Sequence, residues 1–309
     1  MKEFYQKYVN GQGIEVARYL AFPFGSGIRP ESLLRKAAPA GFAPEFEVEA
    51  CDRIASVPRE LSTIHSLLLH GSQASNDVMP FSDVDVVAVL DDSRIHTPSA
   101  IKHDIFALRR FCRWMFRKDP LMHHGLMFIG LSEFSRYDES FLPIATFMQA
   151  KSIYGSRRIK ISNANPEAAL NAAKQLRSSL YWLCRYDFQT PYFQQDYSLK
   201  EFISGILLLP ARYLGSTGQF VKKRDSFAIA YTKFPQIGWR PVQCAEEIRA
   251  KWMAPHLHPL HRIGIDGLSA KAQSLGRYFY KRNFQALRGC IQSLQDEVKA
   301  MKATLDGML

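Results

Sequence analysis

Much that would point to a specialised class is missing from this 309-residue chain. No apolar run reaches the roughly 18 residues that a membrane span requires. The longest one, 203–215, is interrupted by Pro210 and Arg212. The first residues, MKEFYQKYVN, lack the apolar core of a secretory signal, so a cytoplasmic protein without membrane association is the expectation. Cysteine is sparse and scattered: Cys51, Cys112, Cys184, Cys244 and Cys290 are odd in number and form no CxxC pair. That argues against a disulfide framework or a cysteine-built zinc site and predicts reduced thiols. The three histidines of HLHPLH (256–261) have no cysteine or carboxylate beside them to complete a ligand set. Internal repeats and low-complexity tracts are absent as well.

What is present is an excess of positive charge. Forty Lys and Arg against 29 Asp and Glu give +11 and a pI near 9.4. Such an excess favours anionic partners: nucleic acid, nucleotides or phosphorylated metabolites.

The pattern along the chain changes twice. Residues 1–60 read as an irregular extension, with a helical pattern at 3–20 and then Pro- and Gly-punctuated stretches whose aromatic content suits packing on a core. Residues 61–162 alternate strand and helix patterns. Strands are expected at 62–70, 84–90 and 121–129 and, as an edge strand, at 151–161; helices are expected at 97–118 and near 140–150. From 163 to 309 the periodicity is helical, with helices expected at 166–185, 197–215, 223–233, 241–252 and 269–306. The fold class is therefore α+β: a small mixed-sheet core with flanking helices, followed by an all-helical C-terminal domain.

One stretch carries chemistry: HGSQASNDVMPFSDVDVVAVLDD, residues 70–92. Side chains two apart on a strand share a face, so Asp83 and Asp85 point the same way. Two carboxylates there repel and resist burial unless something compensates them. A divalent cation does so, and oxygen ligands suit Mg²⁺ or Mn²⁺. Gly71 permits close backbone approach, and Ser72 offers a hydroxyl and an N–H to phosphate. A strand, a Gly-Ser turn and a DxD strand about ten residues on describe a seat for a metal-bound triphosphate.

Gly71-Ser72 followed by Ser82-Asp83-Val84-Asp85 resembles the signature of the DNA polymerase β-like nucleotidyltransferase superfamily, over roughly residues 60–160. The resemblance implies transfer of an NMP from an NTP to a hydroxyl or similar acceptor, with two divalent metals and loss of pyrophosphate. It implies that Gly71 and Ser72 contact phosphate and that Asp83 and Asp85 ligate metal. The superfamily's third carboxylate, from the next core strand, has no counterpart in LMHHGLMFI (121–129). His123 or His124 falls near its place, and a neutral imidazole can ligate Mn²⁺ or act as a general base. His124 is the preferred catalytic candidate, with Asp119 and Glu133 as fallback acids.

Members of the superfamily often place a lysine from the helical domain on the triphosphate. Lys222-Lys223-Arg224 at a helix start fits, and Lys223 is favoured. The aromatic zone Tyr181, Trp182, Tyr186, Phe188, Tyr192 and Phe193 reads as core packing or as a stacking surface. The acceptor is left open between RNA, a small hydroxylated molecule and a protein side chain. A catalytically degenerate nucleotide-binding sensor, or a subunit completed by a partner protein, is the alternative.

Overall fold

The computed structural model describes residues 45–47, 49–50, 60–76, 78–95, 98–118, 120–122, 126–161, 166–255 and 280–307. Strand β1 spans Glu45–Glu47, β2 Glu49–Ala50, β3 Ile64–His70 and β4 Asp85–Leu90. Strand β5 spans Leu126–Gly130, β6 Lys151–Gly155 and β7 Arg158–Lys160. β3 and β4 pair antiparallel, with Leu67 opposite Ala88 and His70 opposite Asp85. β5 lies parallel to β4, β6 antiparallel to β3, and β2 parallel to β6. The result is a five-stranded mixed sheet of order β2-β6-β3-β4-β5, beside a separate β1-β7 ribbon.

The parallel β4–β5 step needs a crossover, and helix α2 (Pro98–Lys118) lies within it. Its Ile101, Ile105, Leu108, Phe111 and Met115 recur at helical spacing and cover one sheet face: Leu67, Leu69, Val86, Ala88 and Leu126. Leu68, Val87, Val89 and Ile129 pack on the other face, against Phe134, Tyr137 and Phe147. Burial on both faces is why VDVVAVL is apolar almost throughout. Asp104 of α2 is fully buried and accepts from the Thr63 amide at 2.6 Å and the Thr63 hydroxyl at 2.7 Å, fixing the entry to β3.

Short helices α1 (Gly71–Ser75) and α3 (Ile144–Phe147) belong to this half. Then come α4 (Ala168–Leu183), α5 (Asp196–Ile206), α6 (Leu209–Ser216), α7 (Lys223–Lys233), α8 (Arg240–Ala250) and α9 (Arg282–Asp306). Their shared core includes Leu180, Phe202, Ile206, Val242, Ile291 and Val298, and it also takes in Phe81 and Leu121 from the sheet half. Phe81 meets Trp252 edge-on with ring centroids 5.0 Å apart, so the turn before β4 is built into the helical core. Asn171 of α4 donates to Asp138 at 2.7 Å, joining the halves elsewhere.

The structure is thus α+β, and four expectations change in detail. The helix expected over 197–215 is two helices, because Pro210 sits in the first turn of α6, where its missing N–H costs nothing. The edge strand expected over 151–161 is two strands, and β6 is interior, paired with both β2 and β3. The Gly-Ser turn opens a five-residue helix. Strand β5 starts at Leu126; Leu121 and Met122 precede it outside regular structure. The 3–20 helix, HLHPLH and the start of the 269–306 helix lie outside the described residues. No helix among the described residues is long and apolar enough to cross a membrane.

Candidate functional site

The site forms where β3 ends and β4 begins. Gly71 follows His70 with φ +67, a left-handed conformation that favours glycine. A Cβ added there would stand 2.7 Å from Asp85 Oδ2, so glycine is needed for space as well as for backbone angle. Ser72 is the second residue of α1 and is partly buried. Ser82 shapes the approach to β4: its amide donates to the Met79 carbonyl at 2.8 Å, and its hydroxyl accepts from the Met79 amide at 3.1 Å.

Asp85 opens β4, and Asp83 lies two residues before it. Val84 between them belongs to the α2-side core, which leaves both carboxylates on the opposite face. Asp83 is only 8% exposed. Its charge is met by an unexpected residue: Lys200 of α5, itself 0% exposed, donates from Nζ to Asp83 Oδ1 at 2.6 Å. The same ammonium stands 5.6 Å from the Phe81 ring centroid. Burying an unpaired ammonium would cost several kcal/mol, so the pair is mutually obligatory as drawn.

Lys223 is the first residue of α7 and comes within electrostatic reach of both aspartates. Burial pushes its pKa down to about 8; Arg249 and Arg212 lower it further, while Asp85 and Asp83 oppose that shift. Arg212 of α6 is held down to about 10 by burial and donates to the Ser179 hydroxyl of α4. Lys200 thus pairs with Asp83, and Lys223 feels both carboxylates together with the charges of Arg212 and Arg249. The surplus of positive charge suits a polyanion.

His70 faces Asp85 across the strand pair and, by alternation, shares its face. Its imidazole is buried, burial lowers its pKa to about 4, and Nε2 has no hydrogen-bond partner among the described residues. The favoured catalytic candidate His124, its neighbour His123 and the fallback Asp119 lie outside the described residues. Glu133 is engaged elsewhere: its carboxylate accepts from the Gly130 amide at 2.9 Å and caps the turn after β5.

Among the described residues no cluster of three or more His, Cys, Asp or Glu side chains is arranged to hold a metal. Mg²⁺ does not need such a cluster, since it is commonly held by one or two carboxylates together with phosphate oxygens. Asp85 and Asp83 fit that donor set, although Asp83 Oδ1 already carries Lys200.

Of the six residues singled out in the sequence, Gly71, Ser72, Asp83, Asp85 and Lys223 fall in this region. Lys200, Arg212, Arg249 and His70 were missed. The signal for Lys200 was available: it is a lone cation on the buried stripe of Leu199, Phe202, Ile203 and Ile206. No family model matches this chain, and neither a curated protein nor a solved structure matches it.

Proposed function

We propose that the chain is a nucleotidyltransferase that moves an NMP from an NTP to a hydroxyl or similar acceptor and releases pyrophosphate. The observation that carries this reading is Lys223, which feels both Asp83 and Asp85 and is itself flanked by the charges of Arg212 and Arg249. In the proposed reaction the acceptor oxygen forms a bond to the α-phosphorus as the bond from that phosphorus to the bridging oxygen breaks. The acceptor's proton passes to a base, and the two electrons of the broken bond leave with pyrophosphate. Lys223 and Arg212 meet the charge that collects on the leaving group. Gly71 and Ser72 lie against the phosphates, where Gly71 leaves the backbone accessible. Asp85 and Asp83 would hold Mg²⁺ or Mn²⁺, which supplies charge neutralisation at the phosphates. The superfamily resemblance supports the same assignment.

Titration calorimetry of ATP, GTP, CTP and UTP, with Mg²⁺ and with EDTA, tests the binding half. We expect metal-dependent binding that Asp85→Asn abolishes and Lys223→Ala weakens at least tenfold. Unchanged binding in both variants would remove the site assignment.

A second reading has its own support. The Lys200–Asp83 pair provides the compensation that a metal would otherwise supply, and no third acid stands near among the described residues. A nucleotide-binding sensor without turnover would have these properties. Pyrophosphate release in the presence of candidate acceptors separates the two: the enzyme releases it, and the sensor binds NTP and does not.

A further inference from the structure

Away from the carboxylates, α4 carries an exposed face of unusual make-up. None of its sixteen residues is acidic. Its buried side is regular: Ala172, Leu176, Leu180 and Leu183 enter the helical core. The opposite side shows Lys174 and Arg177, then Tyr181 and Trp182, and just past the helix Arg185, all exposed. Tyr181 is 46% exposed and Trp182 54%, although the other aromatics of this zone mostly pack inward: Phe188 is buried, and Tyr186 and Phe193 are partly buried against the helical core. Leaving two large rings in water forgoes stabilisation that burial would give.

The rings are ordered with respect to each other. Tyr181 and Trp182 meet edge-to-face with centroids 5.7 Å apart. The Arg185 guanidinium lies 4.4 Å from the Tyr181 centroid and 5.7 Å from that of Trp182. A planar cation stacked on an aromatic pair presents flat faces to a solvent-borne ring system. From Lys174 to Arg185 the stripe runs about 16 Å along the helix, with cations at one end and the stacked group at the other.

We propose that this face of α4 binds unpaired RNA, with bases stacking on Trp182, Tyr181 and the Arg185 plane while Lys174 and Arg177 meet the backbone phosphates. Charge complementarity commits it to a polyanion: the chain is at +11, and α4 itself carries cations and no acid, although Glu167 and Asp187 flank it. The open ring faces commit it to a single strand, because a duplex hides its bases from such contacts. Unpaired loops and ends of RNA are where base faces are regularly accessible. The inference does not rest on nucleotide binding at Asp83 and Asp85, and it stands or falls separately.

The test is anisotropy of a fluorescein-labelled, unstructured RNA of about twelve nucleotides, titrated with the whole chain at about 50 mM and about 200 mM salt. The expected result is micromolar binding that weakens with salt, a slope that shallows by about 0.7 for each of Lys174→Ala and Arg177→Ala, and a loss of roughly 5- to 100-fold in Trp182→Ala. Trp182→Phe should keep most of the affinity, which guards against a folding artefact. Trp239 and Trp252 are buried and Trp114 is partly buried against the α2-side core, so quenching of tryptophan emission by the RNA should fall in Trp182→Phe. Failure of the parent chain to bind, full affinity in Trp182→Ala, or equal competition by duplex RNA or single-stranded DNA would each overturn the proposal.

Discussion

Buried carboxylates occur at two kinds of place in this molecule, and they are neutralised differently. Asp196, at the start of α5, accepts from the Phe284 amide at 2.7 Å, the Asn283 side chain at 3.0 Å and the Asn283 amide at 3.1 Å. Asp104 is likewise held by amides and a hydroxyl at the entry to β3, with the exposed His103 ring 3.4 Å away. Those acids are met mainly by amides and hydroxyls and act as clamps. Asp83 is met by the Lys200 ammonium, and Asp83 and Asp85 both act on Lys223 at the start of a separate helix. A clamp needs only fixed dipoles, which lose nothing when left in place. Cations brought from separate helices add net charge that a charged ligand can use, which neutral amides and hydroxyls do not supply.

The sharpest way to break this contrast is to treat Asp83 as a clamp. Asp83→Ala leaves Lys200 buried without its carboxylate and should destabilise by about 3–5 kcal/mol in urea unfolding. The double replacement Asp83→Leu with Lys200→Met should recover most of that loss while removing NTP binding. If the double variant is no more stable than Asp83→Ala, the pair is not the electrostatic unit described. Asp196→Ala should cost less, about 2–3 kcal/mol, since the donors it strands are neutral, and the folded fraction should bind NTP as the parent does. Altered affinity there would blur the line between clamp and site.

The smallest expected effect is one of pH. With Lys223 held near 8 in the folded protein, a triphosphate that uses its charge should bind best below pH 8 and weaken roughly severalfold by pH 9. Lys223→Arg should flatten that profile. The free protein runs the other way. Between about 8 and 10.5 the unfolded chain keeps a proton on Lys223 that the folded chain releases, so stability rises with pH across that window.

Much of the frame was legible because its signals are local. Val86, Val87 and Val89 announce a strand, and the spacing of Ile101, Ile105, Leu108 and Phe111 announces a helix. Asp83 and Asp85 stood out because carboxylates are costly in such a strand. The break between α5 and α6 was marked by Pro210, which a helix interior resists, but ILLLPAR carries one apolar pattern through both helices and masks it. Arg212 and Arg249 were hidden for a different reason: each is an ordinary basic residue in its own helix, and only tertiary packing brings it to Lys223. Lys200 stands out as a lone cation on a buried stripe, but its carboxylate partner lies 117 residues away and is set by tertiary packing alone. His70 looked like the end of a strand, and its buried, unpartnered ring depends on what lies over it.

The Asp196 clamp also bears on the order of events during synthesis. Its three donors come from residues 87 and 88 positions further along, and its own amide donates to the Tyr280 carbonyl at 2.8 Å. As the chain leaves the ribosome, α5 therefore emerges with Lys200 in place but without the residues that seat its first turn. The sheet half, whose strand pairs are all present by then, can form early. The contacts that seat the first turn of α5 cannot form until Tyr280, Asn283 and Phe284 have emerged. A sheet half that folds ahead of them is expected to hold Asp83 and Asp85 for that interval without the Lys200 ammonium fixed in place.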